Sequence, residues 1–256
     1  MSIKKIAAII QARTGSQRLP NKILLKIKSK PLIWWLVQNL KKSKNINEII
    51  LATTKSKKDD YLVNYCLKNL KIKVYRGSEN NVLKRVTQAA IKNNVDINVE
   101  CFGDSPFVDS KIIDEFITEF TKLNTKGVDC LTNCFKKTYP AGMEILIYKT
   151  VALKSLNNKV NKRDKMREHV GFNFSRFKKI YKIKNKLAQR KYKYPNFYIE
   201  IDTQKDFIFL KKMIHSFKKI QDINLLNMIK IIKEKKLFLI NNREKRRWKL
   251  LNEKYN

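Results

Sequence analysis

The sequence predicts an α/β fold in which a mostly parallel sheet carries helices on both faces. Two observations lead there. Apolar runs of strand length alternate with stretches of helical period through at least the first half of the 256 residues, the pattern of parallel strands joined by crossover helices. The segments that follow several of those runs are polar and contain glycine, as expected where such sheets bind ligands. A chain of this length buries enough apolar surface to fold without staples.

Taken in order, strands are expected at residues 6–10, 48–53, 73–76 and 97–102. Helices are expected between them at residues 31–42, opened by Pro31 in its first turn, at 59–70, and at 79–93 with Ser78 as the cap. Asp109 or Ser110 caps a further helix over 111–122. The second half is less regular, with strands expected at 128–132, 143–148, 179–184 and 197–201 around a charged middle. Helical period returns at 203–216 and 225–235, and the charged end from Arg243 reads as a short amphipathic helix. No repeat or Gly/Ser linker interrupts the chain, so residues 1–216 are expected to form the main domain and 217–256 a basic helical extension.

Composition narrows the function. A net charge of +35 would by itself suggest a polyanionic partner. Lysine, however, far outnumbers arginine and is spread along almost the whole chain, which reads as a solvated surface. Only the run Arg243-Glu244-Lys245-Arg246-Arg247-Trp248-Lys249 concentrates basic charge around an aromatic residue, and a solvent-facing helix accounts for it better than a nucleic-acid contact. No apolar stretch approaches the roughly 20 residues of a membrane span, and residues 1–5 lead straight into a strand pattern without a leader. A cytoplasmic protein with no membrane partner is expected. Cys66, Cys101, Cys130 and Cys134 are then reduced, structural thiols, and the spacing of the last two is not that of a zinc site.

Three segments carry the chemistry. Residues 11–22, Gln-Ala-Arg-Thr-Gly-Ser-Gln-Arg-Leu-Pro-Asn-Lys, leave the first strand where ligands bind. Arg13, Arg18 and Lys22 beside Gly15 and Ser16 suit a chain of phosphates, because arginine clamps oxygens with paired donors and lysine adds a mobile charge. The segment is not a Walker loop. Cys101-Phe102-Gly103-Asp104-Ser105-Pro106 ends the fourth strand, so Asp104 projects into the same crevice, with Gly103 allowing close approach. Tyr198-Ile199-Glu200-Ile201-Asp202-Thr203 again sets an aspartate before a helix. Asp202 suits either a helix cap or a magnesium ligand, since Mg²⁺ needs only one or two protein carboxylates beside substrate phosphates.

In this order, the motifs I-I-Q-A-R-T-G-S-Q-R-L-P-N-K, R-G-S-E-N-N-V-L-K-R, G-D-S-P, Y-P-A-G-M-E, R-E-H-V and I-D-T-Q-K-D resemble the SpsF-like polysaccharide cytidylyltransferases, relatives of the Kdo and acylneuraminate cytidylyltransferases. The resemblance covers roughly residues 6–209. It implies a Rossmann-like nucleotidyltransferase fold and transfer of CMP from CTP to a sugar, acidic in those relatives, for glycan synthesis. It implies that Arg13, Arg18 and Lys22 grip the triphosphate, with Ala12, Gly15, Ser16 and Gly103 lining the nucleotide. It further implies that Asp104 and Asp202 hold Mg²⁺ and that Arg76 and Ser78 lie near the base. Pro140, Gly142, Glu144, Arg167, Glu168 and His169 fall on its acceptor side, His169 either buttressing the site or touching the acceptor. A homodimer is compatible with the likeness. The relatives usually carry an acidic pair after Asp202, where this chain has Lys205 and Asp206, and an aspartate where it has Glu144.

Two other functions fit parts of the sequence. A metal-dependent glycosyltransferase would also need a strand-end acid, but its usual D-x-D is absent from Gly103-Asp104-Ser105. A basic nucleic-acid-binding protein would be marked by affinity that collapses with salt and ignores CTP.

Overall fold

The structure, a computed structural model, describes residues 4–16 and 18–241. Its centre is a seven-stranded sheet in the order β5-β4-β1-β6-β8-β7-β9. The strands are β1 (Ile6–Gln11), β4 (Glu48–Thr54), β5 (Lys73–Gly77), β6 (Ile97–Phe102), β7 (Cys130–Thr132), β8 (Leu146–Lys149) and β9 (Ile183–Asn185). A two-stranded hairpin, β2 (Lys26–Ile27) with β3 (Lys30–Pro31), lies outside it. Pairing is parallel from β5 through β6, and β8 runs against both β6 and β7.

Alternation along β1 shows how the sheet is covered. Ala8 and Ile10 face one apolar cluster with helices α1 (Leu32–Lys41), α4 (Ser110–Asn124), α6 (Gln204–His215) and α7 (Leu225–Glu234). Ala7 and Ile9 face a second cluster with α3 (Val82–Lys92) and α5 (Thr150–Lys159). Helix α2 (Asp60–Tyr65) connects β4 to β5. A strand buried on both faces reads as a continuous apolar run, which is why Ile6-Ala7-Ala8-Ile9-Ile10 was recognisable as one.

Sequence and structure part in a few places. The cap of α3 is Asn81, whose side chain accepts from the Lys84 amide at 2.9 Å, while Ser78 accepts from the Asn81 amide a turn earlier. Residues 197–201 form no strand. Their backbone bonds are split, with Ile199 donating to Ala141 and Ile201 donating to the Asp104 carbonyl, each at 2.8 Å. The segment therefore bridges two loops instead of extending a ladder, and it delivers Asp202 beside Asp104. Beyond residue 216 the chain packs on the main core: Phe217, Met228, Ile229 and Ile232 belong to the cluster of α1 and α4, and Asp109 both caps α4 and accepts from the Leu225 amide at 2.7 Å. The helix expected from Arg243 lies outside the described residues. Among the described residues no helix is long and apolar enough to cross a membrane.

Candidate active site

β1 and β6 are neighbours, yet the chain leaves β1 toward β4 on one side and reaches β6 on the other. Loops diverge at such a switch point, which leaves a crevice beyond the carboxyl ends of the two strands. A cleft of about 500 Å³ occupies that position.

Its first wall is the loop after β1. Buried Asp59 shapes this loop by accepting from the Thr14 amide and hydroxyl, both at 2.8 Å, and from Thr53 and Thr54. Burial raises the Asp59 pKa, but these donors outweigh it and hold the carboxylate below its ordinary range. With Thr14 fixed, Arg13, Gly15, Ser16, Arg18 and Lys22 line the cleft, and Ala12 sits under them against Gly103. A methyl group on Gly103 would fall 2.8 Å from Ala12 Cβ, so only glycine lets the two loops approach this closely.

The two aspartates meet at a lysine. Lys22 Nζ lies 3.2 Å from Asp104 Oδ2, 3.2 Å from Asp202 Oδ1 and 3.1 Å from the Ile201 carbonyl. Arg18 Nη2 reaches Asp202 Oδ1 at 2.9 Å. The cap of α6 is Thr203, in a capping box with Asp206, and not Asp202. Asn241 then braces Asp206 at 3.1 Å. Two carboxylates converging on one ammonium form a donor set that suits a divalent cation shared with phosphates.

Not every expected residue reaches the cleft. Glu144, Glu168 and His169 line it. Pro140 and Gly142 stand behind Glu144. Gly142 adopts φ of +91°, and its amide donates to Glu144 Oε2 at 2.7 Å, so this glycine aims a carboxylate. Arg76, expected near the base, is instead taken up by the Thr54 and Ser56 carbonyls and by Asp60. Ser78 contributes its carbonyl to Arg85 at 2.6 Å. Arg167 is buried and ties together Asn81, Asn157 and Val160. It is a brace between α3 and α5, and its guanidinium is consumed away from the cleft wall.

Gln11, Arg85, Glu100 and Glu200 also line the cleft, and the sequence motifs assign them no role. Arg85 is buried; burial first, and the Arg13 charge second, push its pKa down to about 10. Glu100 lies within β6 and accepts from Gln11 Nε2 at 2.7 Å. A charge inside a buried strand is the signal the sequence offers for it.

A parallel α/β sheet with a cationic loop after its first strand and two acids facing that loop defines a nucleotidyltransferase. Comparison with known proteins makes the assignment narrower. The chain belongs to the cytidylyltransferase family, whose model matches residues 7–246. It is 28% identical to the spore coat polysaccharide biosynthesis protein SpsF of Bacillus subtilis, covering 89% of this chain and 93% of that one. It superposes on a cytidylyltransferase of Leptospira borgpetersenii with a TM-score of 0.87 at 30% identity, covering 95% of this chain and all of that one. An uncharacterized protein of Methanocaldococcus jannaschii is 42% identical over 120 residues, and there the match spans about half of each chain, 47% and 49%.

Proposed function

We propose that the chain transfers CMP from CTP to a hydroxyl of a sugar, releasing pyrophosphate, in the cytoplasmic synthesis of a surface polysaccharide or related glycan. The observation that carries this reading is the meeting of Lys22 with both Asp104 and Asp202 at 3.2 Å, with Arg18 joined to Asp202 at 2.9 Å.

The acceptor oxygen attacks the α-phosphorus as the bond from that phosphorus to the bridging oxygen breaks. The electron pair leaves with pyrophosphate, and the hydroxyl proton passes to water. Catalysis of such a transfer is mostly positioning and charge stabilisation. Arg13, Arg18 and Lys22 neutralise charge moving onto the β- and γ-phosphates, Arg18 by paired donors and Lys22 as a point charge. Mg²⁺ held by Asp104 and Asp202 would supply Lewis-acid polarisation of the α-phosphate. Asp104 and Asp202 position Lys22 in the free protein and would hold the cation in the loaded one, leaving the lysine ammonium to bond phosphate oxygens. Buried Arg85 holds the Ser78 and Glu79 carbonyls at 2.6 and 3.3 Å, and the Glu79 side chain pairs with Arg13 at 3.4 Å.

Thermal stabilisation by CTP, UTP, GTP and ATP with Mg²⁺ tests the reading, because a ligand selective for the folded state raises stability by mass action. CTP should stabilise most, and pyrophosphate should appear once an acceptor is added. Equal stabilisation by all four, or by none, contradicts it. A nucleotide-sugar that stabilises in place of the free triphosphate would favour a glycosyltransferase.

A further inference from the structure

Arg85 is a buried charge that the chemistry above does not use. It lies on the buried face of α3, where the other buried positions are Val82, Leu83, Val86, Thr87, Ala89 and Ala90, and 2% of the residue is exposed. Its side chain nonetheless lines the cleft. We propose that Arg85, together with Arg13, binds oxygens of the β- or γ-phosphate of the nucleotide, as a fourth cation of the triphosphate site. The proposal rests on the cytidylyltransferase reading and adds to it a residue that the motifs leave without a role.

The guanidinium is held in place but not neutralised. Nη1 donates to the Ser78 and Glu79 carbonyls at 2.6 and 3.3 Å, both uncharged acceptors, and Nε is buried with no hydrogen-bond partner. Asp59, Glu79 and Glu168 stand near enough to favour the charge, yet among the described residues none of them forms an ion pair with Arg85. Asp59 is taken up by Thr14, Thr53 and Thr54, Glu79 pairs with Arg13 at 3.4 Å, and Glu168 is exposed. Arg13 works against all three: after burial, its charge is the larger cause that draws the Arg85 pKa down to about 10, a value at which Arg85 stays protonated at neutral pH. Helix α3 begins at Val82 with no acid in its first turn, so Arg85 also sits close to the positive end of the helix dipole. Two guanidiniums and a helix N-terminus therefore share one stretch of cleft wall, and a buried charge so placed costs free energy until a counter-charge arrives.

Phosphate oxygens answer that need. Arginine can donate to them through two nitrogens at once, and a polyphosphate sets several negative charges against the two arginines where a carboxylate sets one. The side chain is also prepared for a ligand. Gly77 leaves room for its stem, since a methyl group there would fall 2.9 Å from Arg85 Cγ. With the stem packed and Nη1 fixed by two carbonyls, little side-chain freedom remains to be lost on binding.

The test titrates CTP, pyrophosphate and CMP, each with Mg²⁺, into the wild type, R85Q and R85K by calorimetry, after the melting temperature of each unliganded protein has been measured. In R85Q, CTP and pyrophosphate should each lose about tenfold in affinity, in the range for charge-assisted hydrogen bonds, while CMP changes by less than about twofold. R85K keeps the charge on a flexible stem but lacks the paired donors, so it should recover part of that loss. If R85Q does not fold, R85K carries the test with an expected loss of about threefold for CTP and pyrophosphate. Equal losses for CMP and CTP would make Arg85 only a brace for the Ser78 and Glu79 carbonyls and overturn the proposal. Wild-type affinity for CTP and pyrophosphate in R85Q, or in R85K where R85Q does not fold, would overturn it as well. Failure of the wild type to bind CTP would strike the cytidylyltransferase reading itself, and the proposal with it.

Discussion

The cations of the β1 loop and the glutamates Glu100 and Glu144 line the same cleft, yet they are built differently. The cations sit on the loop after β1, outside the sheet, tethered by Thr14 to Asp59 and balanced by Asp104, Asp202 and Glu79. Their charges are paired and partly solvated, so they can exchange protein partners for phosphate oxygens at small cost. The glutamates are fixed more rigidly: Glu100 is embedded in β6, and Glu144 is held by the Gly142 amide. One set is arranged to let go of its partners, and the other is held in place by neighbouring amides and side chains. The contrast fits the proposed role of the cations, which exchange partners readily enough to take up a triphosphate.

The sharpest way to break this comparison is to remove an aspartate that pairs with the mobile Lys22. Asp104→Asn should lower turnover on the order of 10²- to 10³-fold, since losing electrostatic stabilisation of the transition state costs several kcal/mol, while CTP affinity changes by only a few-fold. Pyrophosphate release and calorimetric titration measure the two effects separately. Wild-type turnover in the variant would remove Asp104 from the mechanism.

Glu100→Gln sharpens the other side. The folded-state pKa of Glu100 lies near 7 against an ordinary 4.5, so the folded chain binds a proton that the unfolded chain has released. The stability this gives is fully present below about 4.5 and is lost as pH rises through about 7, a change of up to about 3 kcal/mol. Melting temperature measured across that window should therefore slope less in the variant than in the wild type. Identical slopes would mean that Glu100 is not a buried, proton-binding group.

A smaller effect is expected at Arg18, which is half-exposed. Arg18→Ala should weaken CTP about tenfold, in the range for charge-assisted hydrogen bonds discounted for solvent, with little change in melting temperature. The smallest belongs to Arg76, whose guanidinium is occupied by Thr54, Ser56 and Asp60. Arg76→Ala should leave CTP affinity within about twofold, and a larger loss would restore it to the nucleotide site.

These pairs also show what a sequence can disclose. The β1 loop and Gly103-Asp104 were readable because each follows directly on an apolar strand, and chain direction alone places them at one edge of a parallel sheet. Asp202 was readable as a candidate, but that it is not the cap of α6 depends on Thr203 and Asp206 forming their own box. Glu100 was hidden because its meaning comes from Gln11, 89 residues away on the neighbouring strand. Arg167 misled in the opposite sense. It sits in a motif with Glu168 and His169, yet its partners Asn81, Asn157 and Val160 lie on other elements, and no local pattern records that they consume its donors. Residues 197–201 looked like a strand by apolar content, whereas their hydrogen bonds are shared between the Ala141 and Asp104 loops.

Asp104 and Asp202 are proposed to hold a divalent cation together with CTP. Mn²⁺ titrated into the CTP-loaded protein, followed by the relaxation of water protons, reads that cation directly. The wild type should form a tight ternary complex, and the Asp104→Asn, Asp202→Asn double variant should lose at least tenfold in Mn²⁺ affinity while still binding CTP. Equal Mn²⁺ affinity in the two proteins would contradict the assignment.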